Sequence, residues 1–258
     1  MPHPPLPGEQ PPGEHAEELL AMVAHELRQP LTALRGALMT LQHRTQALSG
    51  SQQQELLGMA RRQGEQLQRL LDQLLVAAAL DRPQAGTGGW SLVDVAALAR
   101  EAALAARLAR PGHPITIQVA GPLLVRADPL AISRILGNLL DNAADYSPAG
   151  SPIWVAGGRD GHQAVLTVRD RGPGIPPADR GRIFQRYTRL DRQTNPTDSG
   201  LGLGLYLARQ LAHTNHGELQ VTDPPGGRGA QFELSLPLAW PAPDLRHGTP
   251  TDTDGEQQ

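Results

Sequence analysis

LAMVAHELRQPLTALRGALMTL, residues 20–41, decides the architecture of the first third of the chain. Leu20, Ala24, Leu27, Leu31, Leu34, Leu38 and Leu41 alternate in steps of four and three, the heptad spacing of a coiled-coil-like helix. After the break SGS at Ser49–Ser51, the series Leu56, Ala60, Gln63, Leu67, Leu70, Leu74 and Ala77 repeats that spacing and stops before DRPQAGTGG. Two long helices joined by a short turn make a helical hairpin. Leu57, Leu71 and Leu75 lie beside the seam, where two helices alone cannot cover them; pairing two hairpins into a four-helix bundle would do so. A homodimer through residues 15–80 is therefore expected.

Composition limits what the rest can be. A chain of 258 residues can bury two compact cores. Its 23 Lys and Arg against 26 Asp and Glu provide no basic field of the kind that draws a protein to nucleic acid. The absence of cysteine excludes disulfides and thiolate metal sites. The longest apolar run, Leu74–Leu80, is far short of the ~20 residues of a membrane span, and the Pro-rich start lacks the basic and apolar regions of a signal peptide. The expectation is a cytoplasmic protein with no membrane span. Residues 1–13 and 239–258 are too rich in Pro, Gly and polar residues to order themselves, and are expected to be disordered tails.

Beyond a Gly-rich linker, residues 83–89, strands and helices mix without strict alternation, so the fold class is α+β. WSLVDV opens as a strand, DVAALAREAALAARLAR is a helix, and ITIQVA and LLVRAD are strands. DPLAISRILGNLLDNAADY is a helix with a cap and an early proline. IWVAGGRDGHQAVLTVRD reads as a hairpin turning at GRDG; a helix begins near Gly202, and the strands ELQVTD and AQFELSLPL follow.

Four clusters carry chemistry. His25 and Glu26 fall at heptad positions b and c, on a flank facing water. Pro30 removes the N–H that would bond the Glu26 carbonyl, bending the helix just past the histidine at a cost of about 3 kcal/mol. A surface histidine beside a tolerated kink is the competing reading. A zinc protease would need a second histidine four residues on, where Gln29 stands. Asn138 and Asn142, four apart on one helix face, suit either a buried polar network or a hard cation. Asp170, ending a strand before Gly172 and Gly174, is a fixed carboxylate able to accept from an exocyclic amine, or part of a simple turn. Gly200, Gly202 and Gly204 open a helix whose bare N–H groups suit phosphate, although a dinucleotide fold would place them directly after a strand.

HELRQPL, NLLDNAADYSP, DRGPGI, IFQRY and GLGLGL together, in this order, resemble the H, N, G1, F and G2 boxes of bacterial sensor histidine kinases, from about Glu14 to Pro237. The resemblance implies a dimerisation and phosphotransfer hairpin, residues 14–82, then an α/β sandwich ATP-binding domain of the Bergerat type, residues 90–238, shared with gyrase, Hsp90 and MutL. It implies that His25 attacks the γ-phosphate of ATP, Glu26 orients the ring and takes its proton, and Pro30 gives a flexible point beside them. Asn138 and Asn142 would hold Mg²⁺, Asp170 would read the adenine amine beside Gly172 and Gly174, and Gly200, Gly202 and Gly204 would cradle phosphates. Phe184 would sit in a mobile lid, residues 171–199, whose Arg186, Arg189 and Arg192 would neutralise charge during transfer. The phosphoryl group would pass to an aspartate of a response regulator receiver domain, under the control of an upstream sensor.

Three features depart from the pattern. Asp145 stands where the family often has Lys or Arg, so either a lid arginine compensates or turnover is slow. Gln29 replaces a Thr or Asn tied to phosphatase activity, and without a recognisable sensor module the sequence is expected to be either a stand-alone kinase driven by a partner or the catalytic part of something larger. Asp145 leaves open a non-catalytic dimeric module that binds nucleotide or regulator; an ATPase of the gyrase or Hsp90 type would lack the hairpin.

Overall fold

The computed structural model describes residues 12–44, 47–80, 89–190 and 200–239. The segments expected as tails fall largely outside the described residues, as do most of the linker and Arg192. Helices α1 (Pro12–Arg44) and α2 (Gly50–Leu80) form the hairpin. Ser49 starts α2 by a reciprocal cap: the Gln52 N–H donates to Ser49 Oγ at 3.2 Å, and the Ser49 N–H donates to Gln52 Oε1 at 2.9 Å. The helix runs through Pro30, which is buried against α2, so the Glu26 carbonyl loses its usual partner while the seam stays packed.

The heptad positions of α1 divide. Leu27, Leu34 and Leu41 turn towards α2, whereas Leu20, Leu31 and Leu38 stay exposed, as do Leu57, Leu71 and Leu75 on α2. One row closes the hairpin and the other lies bare. No helix among the described residues is long and apolar enough to cross a membrane.

The remainder is a two-layer α/β unit. Its five-stranded sheet has the order β2 (Ile115–Val119), β4 (Ile153–Asp160), β5 (Gln163–Arg169), β7 (Gln231–Pro237), β6 (Glu218–Thr222); β2 and β4 run parallel and the other neighbours antiparallel. Helices α3 (Val95–Ala109), α4 (Pro129–Tyr146) and α5 (Gly204–Thr214) cover one face. There Ile132, Ile135, Leu136 and Leu139 of α4 join Ile153, Val155, Leu166, Val168 and Leu234 of the strands in one core. A two-stranded sheet, β1 (Ser91–Asp94) with β3 (Leu124–Ala127), joins the end of β7 through Val125 and Leu238. The opposite face carries Thr116, Gln118, Trp154, Thr167 and Arg169, the polar half of the strand alternation.

Side chains set the helix starts. Asp94 caps α3 by accepting from the Ala96 N–H at 3.0 Å, and also accepts from the Leu123 N–H at 2.9 Å. Asp128 caps α4 through the Leu130 N–H at 2.9 Å, with Pro129 in the first turn, where a missing N–H costs nothing. Two local expectations shift. The β4–β5 turn is Gly161–His162 rather than GRDG, because Asp160 still pairs with Gln163. Helix α5 begins at Gly204 rather than near Gly202, because Gly202 has φ +65°, outside the helical region.

Candidate active site

The α/β unit and the hairpin meet at GLGLGL. Leu201 and Leu203 are fully buried and pack with Leu207 against Leu70 and Ala77 of α2, flanked by Val23, Leu27 and Leu74. The alternating glycines leave backbone exposed between these anchors. A Cβ at Gly202 would lie 2.9 Å from the Thr188 carbonyl, so the position has no room for a side chain as well as requiring a positive φ. Gly200 is not part of the helix, contrary to the expectation that it opens one; its N–H donates to Glu26 Oε2 at 2.9 Å.

That bond changes the reading of Glu26. Its side chain is only 12% exposed and faces the glycine loop, with Oε1 3.8 Å from the guanidinium of Arg189. The imidazole of exposed His25 is held by Gln29 instead, Nε2 to Nε2 at 3.0 Å. An amide nitrogen only donates, so ring Nε2 is the acceptor and the proton stays on Nδ1. In this arrangement Gln29, not Glu26, orients the ring.

Asp170 sits at the other end of the cleft. Its carboxylate is buried, and one oxygen, Oδ1, accepts both the Gly172 N–H at 2.7 Å and the Ala230 N–H at 3.0 Å. Burial pushes the carboxyl above its ordinary value, while the two N–H bonds hold it down. No fully buried side-chain oxygen or nitrogen among the described residues lacks a partner, and both bonds fall on Oδ1, so Oδ2 keeps some access to solvent. Gly229, unnoticed in the sequence, completes this turn: its φ is +93° and a Cβ would fall 2.1 Å from the Asp170 carbonyl oxygen. Its signal was the GGRG run just before the last strand.

Between these ends runs α4. The Asn138 Nδ2–H donates to the Gly204 carbonyl at 3.1 Å, tying the helix to the glycine loop. That bond leaves Oδ1 uncommitted, and it faces Gly204, 3.7 Å from where a Cβ would stand. Asparagine oxygens suit a hard cation, so Asn138, with Asn142 one turn on, fits Mg²⁺.

Three expectations about the lid region change. Phe184, expected in a mobile lid, is buried in a short 3₁₀ turn, Arg182–Phe184, edge-on to Phe232 at 6.5 Å, with the Arg209 guanidinium over its ring. Arg186 stacks on Tyr206 and donates to its hydroxyl at 2.5 Å. Thirdly, among the described residues the charge partner of Asp145 is not a lid arginine but Arg110, which follows α3 and donates to Asp145 at 2.7 Å and to Asp141 at 3.1 Å. Burial raises the Asp145 carboxyl, opposed chiefly by Arg110.

Comparison with known proteins agrees with this geometry. The His Kinase A (phospho-acceptor) domain model matches residues 15–83. The histidine kinase-, DNA gyrase B- and HSP90-like ATPase model matches residues 127–239. Sensor histidine kinase TmoS of Ectopseudomonas mendocina is 32% identical over 87% of this chain and 23% of its own length. Adaptive-response sensory kinase SasA of Thermosynechococcus vestitus is 35% identical over 86% of this chain and 60% of its own. Among solved structures, the mycobacterial sensor histidine kinase MprB is 31% identical, covering 58% of this chain and 97% of that one, with a TM-score of 0.51. Full-length ShkA in complex with AMPPNP is 28% identical, covering 89% and 47%, with a TM-score of 0.59. The chain thus spans between a quarter and three fifths of the length of these curated relatives.

Proposed function

Because the chain belongs to the sensor histidine kinases of bacterial two-component systems, we propose that it transfers the γ-phosphoryl group of ATP to its own His25 and then to an aspartate of a response regulator. The observation that carries this reading is the bond from the Gly200 N–H to Glu26, which sets the histidine helix against the glycine loop.

Asp170 Oδ2 accepts from the adenine amine, and the backbone of Gly200, Gly202 and Gly204 receives the phosphates. Asn138 and Asn142 hold Mg²⁺, whose charge offsets that of the polyphosphate. A phosphate oxygen and the Glu26 carboxylate compete for the Gly200 N–H, so nucleotide binding frees Glu26 next to the imidazole. His25 Nε2 attacks γ-phosphorus as the bond to the β-phosphate oxygen breaks. ADP leaves with that electron pair, and the Nδ1 proton passes to Glu26. Arg189, beside both Glu26 and the Gly200 carbonyl, offsets developing charge. The chain acts as a dimer built on the exposed leucines of residues 15–80. The non-catalytic alternative rests on an uncompensated Asp145; the ion pair from Arg110, shared with Asp141, supports the catalytic reading over it.

The test is incubation with γ-labelled Mg-ATP beside a His25→Ala variant. An acid-labile, alkali-stable label absent from the variant is expected. Labelling that survives the substitution overturns His25 as acceptor, and nucleotide binding without any label returns the chain to the non-catalytic reading.

A further inference from the structure

Asn138, Asp141, Asn142 and Asp145 stand at i, i+3, i+4 and i+7 on α4. At about 100° per residue, Asn142 falls roughly 40° to one side of Asn138, with Asp145 about 20° and Asp141 about 60° to the other. Asn138, Asp141 and Asp145 lie on the side away from the buried Ile132, Leu136 and Leu139, and Asn142 borders the buried Ile135. Two carboxylates one turn apart repel each other, and here they also flank the asparagine pair. A nucleotide polyphosphate brought to that pair would meet the same field.

A single side chain answers both. Arg110 is the residue at which α3 stops; one terminal nitrogen of its guanidinium donates to Asp145 and the other to Asp141. The fork geometry suits a guanidinium and not an ammonium. Burial works against the charge on Arg110, and the two carboxylates together outweigh it, raising its affinity for the proton. Arg69 of α2 adds attraction to Asp145 from the hairpin side, as the smallest of the influences on that carboxyl. Holding α3 to α4 does not require the ion pairs, because Ala96, Ala99 and Ala103 of α3 are already fully buried in the same core as α4.

We propose that Arg110 is a positioning residue for the phosphates: it turns Asp141 and Asp145 aside and offsets one of their two charges, so that a polyphosphate can reach Asn138 and Asn142. This rests on the nucleotide-binding reading above. It makes the position 145 carboxylate tolerable through a residue 35 positions earlier in the chain.

A charge role and a packing role separate by ligand. Adenosine, ADP and ATP, each with Mg²⁺, are titrated calorimetrically into the full chain, into Arg110→Gln and Arg110→Lys, and into Arg110→Gln combined with Asp141→Asn and Asp145→Asn. Arg110→Gln is expected to weaken ATP about tenfold or more, ADP less and adenosine less than about twofold, with the loss shrinking at high salt. The triple variant, which removes the charge that Arg110 offsets, is expected to return ATP affinity to within about threefold of the starting protein, and Arg110→Lys to fall between. Equal losses for all three ligands, or no loss for any, would overturn the inference. The unsubstituted chain separates the premises: if it binds no ATP, the nucleotide reading falls and this one with it. If it binds ATP and Arg110→Gln binds equally well, only the role of Arg110 falls. Should Arg110→Gln unfold, the triple variant against the starting protein still decides, since uncompensated packing loss would leave it weak for adenosine too.

Discussion

The hairpin and the α/β unit draw on the same small set of apolar residues and use them differently. In the α/β unit, Ile132, Ile135, Leu136 and Leu139 are wholly enclosed by its own strands and helices. In the hairpin the buried apolar residues are Ala37, Ala60, Leu70 and Ala77, and two of these, Leu70 and Ala77, are covered with help from the α/β unit. Meanwhile Leu31 is 53% exposed and Leu71 is 52% exposed. One region is a finished core and the other is half of one. A long amphipathic helix is stabilised mainly by burying its stripe, so the second copy expected from the heptads would complete the half-built core of the hairpin.

The strongest way to break the comparison is to place charge on the bare row. Leu31→Glu with Leu71→Glu is expected to turn a dimer into a monomer in sedimentation velocity, with loss of hairpin helicity and unchanged adenosine binding; an intact dimer would show that the row is simply surface. Next comes the finished core: Leu139→Ala should cost about 2–5 kcal/mol in denaturant unfolding of the α/β unit, without changing the sedimentation coefficient. A smaller effect is expected where the regions touch. Glu26→Ala removes a charge-assisted acceptor worth about 1.5–3 kcal/mol, read as faster hydrogen exchange at Gly200–Gly204 with core amides unchanged.

The smallest effect is set by pH. Burial holds the folded Asp170 carboxyl above its unfolded value, so its ionised form destabilises the unliganded fold at neutral pH; that penalty is relieved as pH falls through the raised value. ATP affinity should move the opposite way. With Oδ1 occupied by two N–H donors, the added proton goes to Oδ2 and turns an acceptor into a donor facing the adenine amine. Acid titration should therefore raise the melting temperature contribution of the free protein while weakening ATP, and Asp170→Asn should abolish both trends. Parallel trends would remove Asp170 from the adenine site.

Sequence spacing carried the hairpin because the heptad is a local pattern, and it carried the place of Asp170 at a strand end and of the glycines before a helix, because each needs only local backbone. It carried less where geometry is long-range. Glu26 was read as a partner of its neighbour His25, yet it bonds a residue far along the chain. Phe184 looked like a lid residue because its surroundings are polar, but the apolar ring is matched by Phe232, invisible until the strands are paired. Asp145 looked uncompensated since its partner stands at the end of another helix. Gly229 gave a signal, but its reason, the approach to the Asp170 carbonyl, is a tertiary one.

The contact between Glu26 and Gly200 joins positions 174 residues apart. Closing a loop of that length is entropically late, so the bond forms only after the hairpin and the α/β unit have each folded. It can then break and re-form without drawing on the cooperative unfolding of either one. The buried Leu201 and Leu203, packed on Leu70 and Ala77 of α2, keep the two regions together while that one bond exchanges.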